Sequence, residues 1–366
     1  MVGAGPAGAA AARAAALGGA RTLLVERATL PRYKRCGGGL LGLSQGLAPI
    51  DLAPLTRSAL TALTTTWSGR AGWTRRSGEP LIRLIMRDEF DAALVTAARG
   101  AGVELRTGVL VTGIREDSSG VDLLVREGPA IRASFVIGAD GVSSRIGSYV
   151  GVRCGQVDLG LEGEFRSTAE QRRRWDGRVL LDWGPVPGSY GWLFPKGDVL
   201  TVGVIGAQAE NVELRRYYAD LVRRLGLGEP VIEGGHRTRV RNDDSPAVSA
   251  GGRVLVAGDA AGWLEPWSRE GISFALRSGR LAGEAAAVAD PHRYVRAATA
   301  ALGPELRAGR QVLAAFSRHP GVFHAALASP LGWREFRKVL GGSASLAGLV
   351  ERLPVRATLR RLSPVR

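Results

Sequence analysis

Three glycines near the beginning of the chain have the spacing of a phosphate-binding turn. Gly3-Ala4-Gly5-Pro6-Ala7-Gly8 fits the pattern G-x-G-x-x-G, and Glu26 follows eighteen residues after Gly8. Glycines let the backbone approach a pyrophosphate at a helix N-terminus, and a carboxylate at this separation accepts hydrogen bonds from ribose hydroxyls. The motif predicts a dinucleotide site formed by Gly3, Gly5, Pro6, Ala7, Gly8 and Glu26.

The segments around this motif favour half of a βαβ unit. Residues 9–17 are strong helix formers, and residues 22–25 (TLLV) predict an apolar strand that ends at Glu26. Only Met1 and Val2 precede the first glycine, and a buried central strand usually has about five residues. We therefore expect a start site assigned too late or a truncated chain; the alternative is a degenerate site that no longer binds the dinucleotide.

Three further apolar runs predict strands of a sheet that is covered on both faces: residues 109–111, 134–137 and 254–257. Between about 155 and 250, aromatic residues occur in short strand-like pieces interrupted by prolines and glycines, which indicates a separate antiparallel layer. From about residue 291 the pattern is helical, with Trp333, Phe336 and Leu340 at helical spacing.

These patterns predict an α/β protein with a Rossmann-like domain that contains a parallel sheet. That domain comprises residues 1–150 and 251–290, and residues 151–250 form an antiparallel-sheet substrate domain. Residues 291–366 form a helical C-terminal segment.

Two distant motifs distinguish between the possible dinucleotides. Residues 138–145 (GADGVSSR) follow one predicted strand, and residues 258–262 (GDAAG) follow another. They resemble the DG and GD motifs of flavoprotein hydroxylases and reductases related to para-hydroxybenzoate hydroxylase, which implies that FAD is the cofactor. Each Gly-Asp pair taken alone also fits a turn with a capping aspartate.

The resemblance also implies roles for individual residues. Asp259 binds the ribityl or pyrophosphate part of FAD, the amides of Gly271 and Ile272 face the flavin ring, and Arg87 lies near the cofactor. Asp140 of the DG motif and Val111 complete the cofactor-binding set that we expect. Arg269 lies near the polar edge of the flavin, with a salt bridge to Glu265 or Glu270 as the alternative.

Two other segments resemble the signatures of the geranylgeranyl reductase family. Residues 31–40 (PRYKRCGGGL) match a segment whose cysteine-glycine turn, here Cys36, Gly37 and Gly39, lies beside the flavin and the bound isoprenoid. Residues 190–195 (YGWLFP) match the second signature, but the following Gly-x-Gly is Gly203-Val204-Ile205, with Gly206 one place late. The resemblance covers residues 1 to about 290 and implies an FAD-dependent reductase of isoprenoid double bonds.

This chemistry requires an apolar wall near the flavin and a proton for the developing cation. We assign the wall to Trp192 and Phe194, with Tyr190 as a further catalytic candidate; the alternative is that these are ordinary core aromatics. Cys36 either donates the proton or fills space beside the flavin. His236, His292, His319 and His324 have neither metal-ligand spacing nor triad spacing, and we expect no metal.

Two other functions remain open from the sequence. A flavin monooxygenase or halogenase shares the DG and GD motifs, and a non-catalytic lipid- or flavin-binding protein fits the short first strand and the basic tail. No second strand-glycine-helix unit is available for NADPH, so the electron donor is either NADPH that visits the flavin transiently or ferredoxin.

The charge of the chain favours anionic partners. It has 49 Lys and Arg against 34 Asp and Glu, a formal net charge of +15. We expect a prenyl-lipid substrate and no nucleic acid.

Residues 352–366 contain five arginines and no acid, which predicts peripheral association with an anionic membrane; a solvated basic tail is the alternative. With two cysteines and no signal peptide, we expect a cytoplasmic protein whose peripheral association is with the inner face of the membrane.

Overall fold

The computed structural model describes residues 1–362, with the exception of the side chain of Arg360. Of the predicted basic tail, residues 363–366 therefore lie outside the described part. The helices are α1 (Pro6–Leu17), α2 (Ser44–Leu47), α3 (Arg87–Gly100), α4 (Arg145–Val150), α5 (Ala169–Trp175), α6 (Asn211–Arg224), α7 (Ile272–Ala287), α8 (Pro291–Arg318), α9 (Pro320–Ala328), α10 (Pro330–Leu340), α11 (Leu346–Val350) and α12 (Leu353–Leu362).

The strands range from two residues in β2 to thirteen residues in β12. They are β1 (Leu23–Glu26), β2 (Gly39–Leu40), β3 (Thr56–Leu60), β4 (Ala62–Trp67), β5 (Arg70–Arg76), β6 (Ile82–Ile85), β7 (Glu104–Thr107), β8 (Val111–Asp117), β9 (Gly120–Val125), β10 (Ile131–Ala133), β11 (Val136–Gly138), β12 (Cys154–Arg166), β13 (Arg178–Trp183), β14 (Tyr190–Lys196), β15 (Val199–Ala207), β16 (Ile232–Arg241) and β17 (Val254–Val256).

The parallel sheet of the first layer is formed by distant parts of the chain. β1 pairs with β7 and β11 pairs with β17, all in parallel. Val2 forms parallel bridges to Val25 of β1 and to Gly138 of β11, so one residue joins the two pairs. The strand predicted at residues 109–111 is wrong in extent: β8 begins at Val111, and the Val109 amide donates to the Glu26 carbonyl at 2.9 Å.

The second layer is a seven-stranded sheet in the order β16-β12-β15-β14-β13-β4-β5. Its pairs are antiparallel except for β13 with β4, which are parallel. Helix α6 packs on one face through Leu214, Tyr217 and Leu221, which belong to the same core cluster as Leu193 and Val202.

The seven-stranded sheet contains strands from two of the predicted domain ranges. β4 and β5 fall inside residues 1–150 but belong to the seven-stranded sheet. β4 is largely buried and β5 is largely exposed, and neither strand has an apolar run that would have assigned it to this layer. The ranges themselves stay a prediction, and the mixed α/β architecture with a helical C-terminal region is confirmed.

The C-terminal helices cover one end of the seven-stranded sheet. Val355, Leu359 and Leu362 of α12 pack in a core cluster with Phe316 of α8, whereas Leu353 is 79% exposed. Three of the large apolar side chains of α12 therefore pack against the protein rather than facing solvent. Among residues 1–362, no helix combines the length and the apolar character needed to cross a bilayer.

Candidate functional site

A cleft of about 420 Å³ opens at the edge of the parallel sheet. The glycine turn, the end of β1, the first residue of β8 and the start of α7 all face it. The predicted cofactor-binding residues that line it are Gly3, Gly5, Pro6, Ala7, Glu26, Cys36, Arg87, Val111, Asp140, Asp259, Gly271 and Ile272. The cleft thus brings together residues that are up to 269 positions apart in the sequence.

Of the predicted cofactor residues, Gly8, Gly37 and Gly39 do not line the cleft. Gly8 permits close packing within the turn, since a Cβ there would lie 1.8 Å from the Gly3 carbonyl oxygen. Helix α1 begins directly after Gly5, with no side-chain cap and no acidic residue in its first turn. Its positive end therefore faces the cleft without a capping side chain and without an acidic residue in its own first turn.

Glu26 fixes the backbone on both sides of the glycine turn. One carboxylate oxygen accepts a hydrogen bond from the Ala4 amide at 2.8 Å, and the other accepts one from the Ala28 amide at 3.0 Å. The side chain is buried, and Arg32 Nε lies 3.6 Å from it. In this structure Glu26 therefore holds the turn in place as well as facing the cleft.

A buried carboxylate holds two arginines at the cleft. Asp91 is fully buried and accepts hydrogen bonds from Arg87 Nε at 2.9 Å and Nη2 at 3.0 Å, while Arg32 Nη1 lies 3.3 Å away. Sequence reasoning found Arg87 but not Asp91 or Arg32. The four-residue separation of Arg87 and Asp91 on α3 is typical of ion pairs within a helix, so this pair could have been predicted from the sequence.

The two motif aspartates are used differently. Asp140 accepts hydrogen bonds from the Ser144 hydroxyl and, at 2.8 Å, from the Arg145 amide, so its carboxylate is engaged within its own turn. Asp259 lies in a 3-10 turn at Gly258–Ala261, and no donor within residues 1–362 hydrogen-bonds its carboxylate. Asp259 is therefore the aspartate whose side chain is available to a ligand.

The turn of residues 36–39 lies against the aromatic strand β14. A Cβ at Gly37 would lie 2.9 Å from the Phe194 ring and 3.3 Å from Trp192 Nε1, and a Cβ at Gly39 would lie 3.4 Å from Phe194. Only a glycine-rich turn permits this approach. Gly37 and Gly39 thus bring Cys36, which faces the cleft, next to the aromatic strand.

A second, apolar pocket of about 160 Å³ lies on the other side of this turn. Three regions form its wall: the β2–β6 sheet, the aromatic strands of the large sheet, and the C-terminal helices. Its larger apolar residues are Leu41, Ile82, Leu181, Trp183, Tyr190, Phe194, Trp267, Phe274, Phe336 and Leu340. The wall is therefore mostly apolar, and the charged residues Glu265, Glu270, Arg277 and Glu305 also line the pocket.

The segment of residues 265–273 separates the two cavities. Arg269 and Gly271 line the cleft, whereas Ser268 and Glu270 line the pocket. Arg269 Nε pairs with Asp158 on β12 at 3.1 Å, and both side chains are 3% exposed. The expected alternative partners of Arg269, Glu265 and Glu270, are therefore wrong, because the chain turns at Arg269 (φ 55°) toward the large sheet.

The aromatic candidates occupy different places. The Tyr190 hydroxyl donates to the Ser268 carbonyl, and burial raises the pKa of this phenol well above its usual range. Tyr190 therefore connects the sheet to the separating segment as a neutral hydrogen-bond donor. Trp192 lines neither cavity; its ring covers Gly203, and its buried Nε1 has no hydrogen-bond partner within the described residues.

Comparison with known proteins places this geometry in a family. Residues 1–159 match the family model of an FAD binding domain. A menaquinone reductase of Mycolicibacterium smegmatis is 31% identical over 321 residues, which cover 78% of this chain and 75% of that protein. A chloroplastic geranylgeranyl diphosphate reductase of Oryza sativa is 30% identical over 307 residues. The matched region covers 78% of this chain and 65% of the length of that protein. The chain belongs to the geranylgeranyl reductase family of FAD-dependent oxidoreductases.

Solved structures share the fold of this geranylgeranyl reductase family member. A geranylgeranyl bacteriochlorophyll reductase-like protein of Thermoplasma acidophilum has a TM-score of 0.82 at 21% identity, covering 99% of this chain and 98% of that one. The flavin-dependent brominase Bmp2 has a TM-score of 0.75 at 18% identity, covering 98% and 96%. At these identities the likeness extends to the fold alone.

The residues of the cleft fit FAD in chemical type. The uncapped α1 N-terminus and the guanidinium groups of Arg32 and Arg87 suit a pyrophosphate. The free Asp259 carboxylate suits hydroxyl groups, which donate to it. The α7 N-terminus at Gly271 also faces the cleft, and the Glu270 carboxylate accepts a hydrogen bond from the Ser273 amide of its first turn at 2.8 Å.

Proposed function

We propose that this protein is an FAD-dependent reductase that hydrogenates C=C bonds of an isoprenoid chain of the geranylgeranyl type. The observation that carries the proposal is the apolar pocket against the turn of residues 36–39. Phe194 lines this pocket, and its ring packs against Gly37 and Gly39, next to Cys36 in the cleft. The names of two relatives, a geranylgeranyl diphosphate reductase and a menaquinone reductase, support the same substrate class.

Different side chains have different roles in this reaction. Reduced FAD supplies a hydride when it is bound. Phe194, which lines the pocket, positions the double bond, Trp192 supports the neighbouring turn at Gly37, and the pocket excludes water from the bond. Cys36 lies at the junction of the two cavities, where a thiol can give its proton to the second carbon of the double bond.

We assign the cofactor-binding roles to the residues that line the cleft. Gly3, Gly5, Pro6 and Ala7 bind the pyrophosphate at α1, and Asp259 binds ribityl hydroxyls. Arg87, Asp140, Val111 and the amides of Gly271 and Ile272 complete the contacts, whereas Gly8, Gly37 and Gly39 act by allowing close packing. Glu26 acts twice, on the ribose and on the backbone of the glycine turn.

For the electron donor we propose NADPH or ferredoxin, each reaching the flavin from the open side of the cleft. Anaerobic reduction of the bound flavin by NADPH alone, or only by reduced ferredoxin, distinguishes the two. A donor that reduces the flavin at least tenfold faster than the other is the physiological class.

We also propose peripheral association with anionic membranes, from which a prenyl lipid is collected. Leu331 and Leu353 are 69% and 79% exposed on the C-terminal helices, and Arg356 and Arg361 are exposed nearby in the sequence. Each basic residue at an anionic surface contributes about 1 kcal/mol. Binding to anionic vesicles that weakens at high salt supports this, and equal binding at both salt concentrations contradicts it.

Product analysis tests the reductase assignment. The photoreduced holoenzyme is incubated without oxygen with geranylgeranyl diphosphate or with a prenylated phospholipid, and the product is examined by mass spectrometry. We expect the addition of two hydrogens per reduced double bond. Oxygen-dependent hydroxylation or halide incorporation, with no hydrogenated product, would instead support the monooxygenase or halogenase alternative.

A further inference from the structure

A buried carboxylate that the proposed chemistry has not yet used lies behind Cys36. Glu162 on β12 is 3% exposed, and one of its oxygens accepts a hydrogen bond from the Cys36 amide at 3.1 Å. Its other oxygen, Oε2, is buried and has no hydrogen-bond partner within residues 1–362. A buried carboxylate with an unused oxygen is costly unless it holds a proton or exchanges one.

Two glycines leave this carboxylate open to its neighbours on the sheet. Glu162 stands opposite Gly203 on β15 and Gly234 on β16, so no cross-strand side chain covers it on either side. The Trp192 ring lies over Gly203, and the Arg35 guanidinium lies over Gly234. The face of the sheet around Glu162 is therefore the face that bears the aromatic wall and the turn of residues 36–39.

A buried lysine lies at the other end of the same turn. Lys196 is 4% exposed, and a Cβ at Gly38 would lie 3.1 Å from its Nζ. The Gly38 amide in turn donates to Cys36 Sγ at 3.4 Å. The cysteine turn thus has a carboxylate at its beginning and an ammonium group at its end, and Glu162 and Lys196 form no ion pair within 4.0 Å.

The charges around Glu162 favour a proton at this position near neutral pH. Burial raises the pKa of Glu162 to about 7, and the Glu164 carboxylate adds to this effect, while Lys196 and Arg35 oppose it. Burial lowers the pKa of Lys196. The phenol of Tyr33 also lies near Glu162, whereas that of Tyr218 lies over Gly163 on the other face of β12; the pKa of each phenol is raised above its usual range, so both stay neutral.

A path to solvent begins two residues further along the strand. Glu164 lies on the same face of β12 as Glu162, about 7 Å away along the strand. Its carboxylate accepts a hydrogen bond from Tyr33 at 3.2 Å, and Tyr33 is 45% exposed. Glu162 therefore lies between the interior thiol and a hydrogen-bonded pair at the surface.

We propose that Glu162 holds the proton that restores the Cys36 thiol after each reduction, with Lys196 as a positioning residue for the turn. This rests on the proposed reductase function. The thiol S–H bond breaks as a C–H bond forms on the substrate carbon that has not received the hydride. The resulting thiolate, beside the Arg87 charge, takes the proton of the Glu162 carboxyl, and Glu162 regains a proton from solvent past Glu164.

The first experiment measures the thiol and needs no substrate. The rate of Cys36 alkylation by iodoacetamide is measured from pH 5 to 10 in FAD-loaded protein that carries Cys154→Ser, so that a single thiol reports. We expect an inflection near pH 7, because ionised Glu162 disfavours a thiolate beside it. Glu162→Gln should remove this inflection, Glu162→Asp should keep it, and Glu233→Gln, a change at an exposed position of β16, should leave it unchanged.

The second experiment uses prenyl substrate. Glu162→Gln should lower kcat about 100-fold, the usual size of a lost proton-transfer group, and should remove the limb near pH 7 from the kcat profile. FAD affinity and the flavin spectrum should stay at wild-type values. A Glu162→Gln enzyme with the wild-type alkylation profile and the wild-type kcat profile overturns the assignment.

The two experiments separate failure of this inference from failure of the proposed function. If no prenyl compound is reduced but Glu162→Gln abolishes the alkylation inflection, the substrate class is wrong and the coupling of Glu162 to Cys36 stands. If prenyl compounds are reduced and neither pH profile changes in the variant, the role of Glu162 is wrong and the reductase function stands.

Discussion

The cleft and the pocket are built in opposite ways. The cleft is formed largely by backbone amides and charged groups at element ends, such as Gly5, Glu26, Asp259 and Gly271, and each of these lies in a short local motif. The pocket is formed by apolar side chains of separate elements, such as Leu181, Trp267 and Phe336, that meet only after folding. Local motifs therefore define the cleft, the proposed cofactor side, whereas tertiary packing defines the pocket, the proposed substrate side.

This difference predicts that a substitution in one cavity should leave ligand binding in the other cavity unchanged. The separating segment of residues 265–273 contributes to both cavities, but through different residues. Substitutions in the pocket should affect stability and substrate without affecting FAD, and substitutions in the cleft should do the reverse.

The largest effect is expected in the pocket wall. Trp267 packs against Trp183, Phe316, Phe323 and Phe336, and Trp267→Ala should lower the free energy of unfolding by about 3–5 kcal/mol. Chemical denaturation measures this loss, and FAD affinity of the folded protein should stay unchanged. Trp67→Ala, at a residue that is 42% exposed, is the matched control. Equal losses in both variants would contradict a packed pocket wall.

The cleft carboxylates should show the next largest effect. Asp259→Ala and Glu26→Ala should each weaken FAD binding by about 1–3 kcal/mol, because a hydrogen-bonded charge contact is lost. Glu26→Ala should also destabilise the apoprotein, since the Ala4 and Ala28 amides lose their acceptor. Titration with FAD measures the affinities, with Asp244→Ala at an exposed ion pair as the control. Wild-type affinity in both cleft variants would show that the cofactor site is elsewhere.

The junction of the cavities gives a more selective effect. Trp192→Ala should lower turnover of prenyl substrates by about tenfold to a hundredfold through misplacement of the reacting bond, while the flavin spectrum stays unchanged. Leu200→Ala on the opposite face of the sheet controls for loss of core packing. Loss of bound FAD in Trp192→Ala would make this ring part of the cofactor side.

The smallest effect is expected from a pocket carboxyl. Burial raises the pKa of Glu270 to about 7, so the folded protein binds this proton more tightly than the unfolded chain. Its contribution to stability is therefore favourable below about pH 4.5 and is lost as pH rises toward 7. Glu270→Gln should raise stability by about 1 kcal/mol at pH 8 relative to wild type, and not at pH 4.5. Melting temperatures at both pH values measure this; an equal difference at both would contradict it.

The sequence allowed the cofactor side to be predicted because its signals are local. The glycine turn, α1, β1 and Glu26 follow one another in a fixed order, and the GD motif precedes α7 in the same way. The first residue of β8 was misplaced by two positions because Val109 and Leu110 are apolar yet line the cleft instead of forming a strand.

The substrate side was only partly predictable. Trp192 and Phe194 stood out by residue type, but the helices α10 and α11 that close the pocket have no signal that ties them to β14. Charged residues in strands, such as Asp158 and Glu162, suggest a solvated face, and only the pairing of β12 with its neighbours shows that they are buried.

Anaerobic reoxidation of the reduced flavin tests the central claim, that the pocket delivers an isoprenoid double bond to FAD. The holoenzyme is photoreduced under argon and mixed with geranylgeranyl diphosphate or with its fully saturated analogue. A menaquinone is compared with a quinone whose side chain is saturated, because the quinone ring itself can oxidise flavin. We predict reoxidation by the unsaturated diphosphate and none by the saturated one. Equal rates with the members of each pair, or no reoxidation by any prenyl compound, would contradict the account.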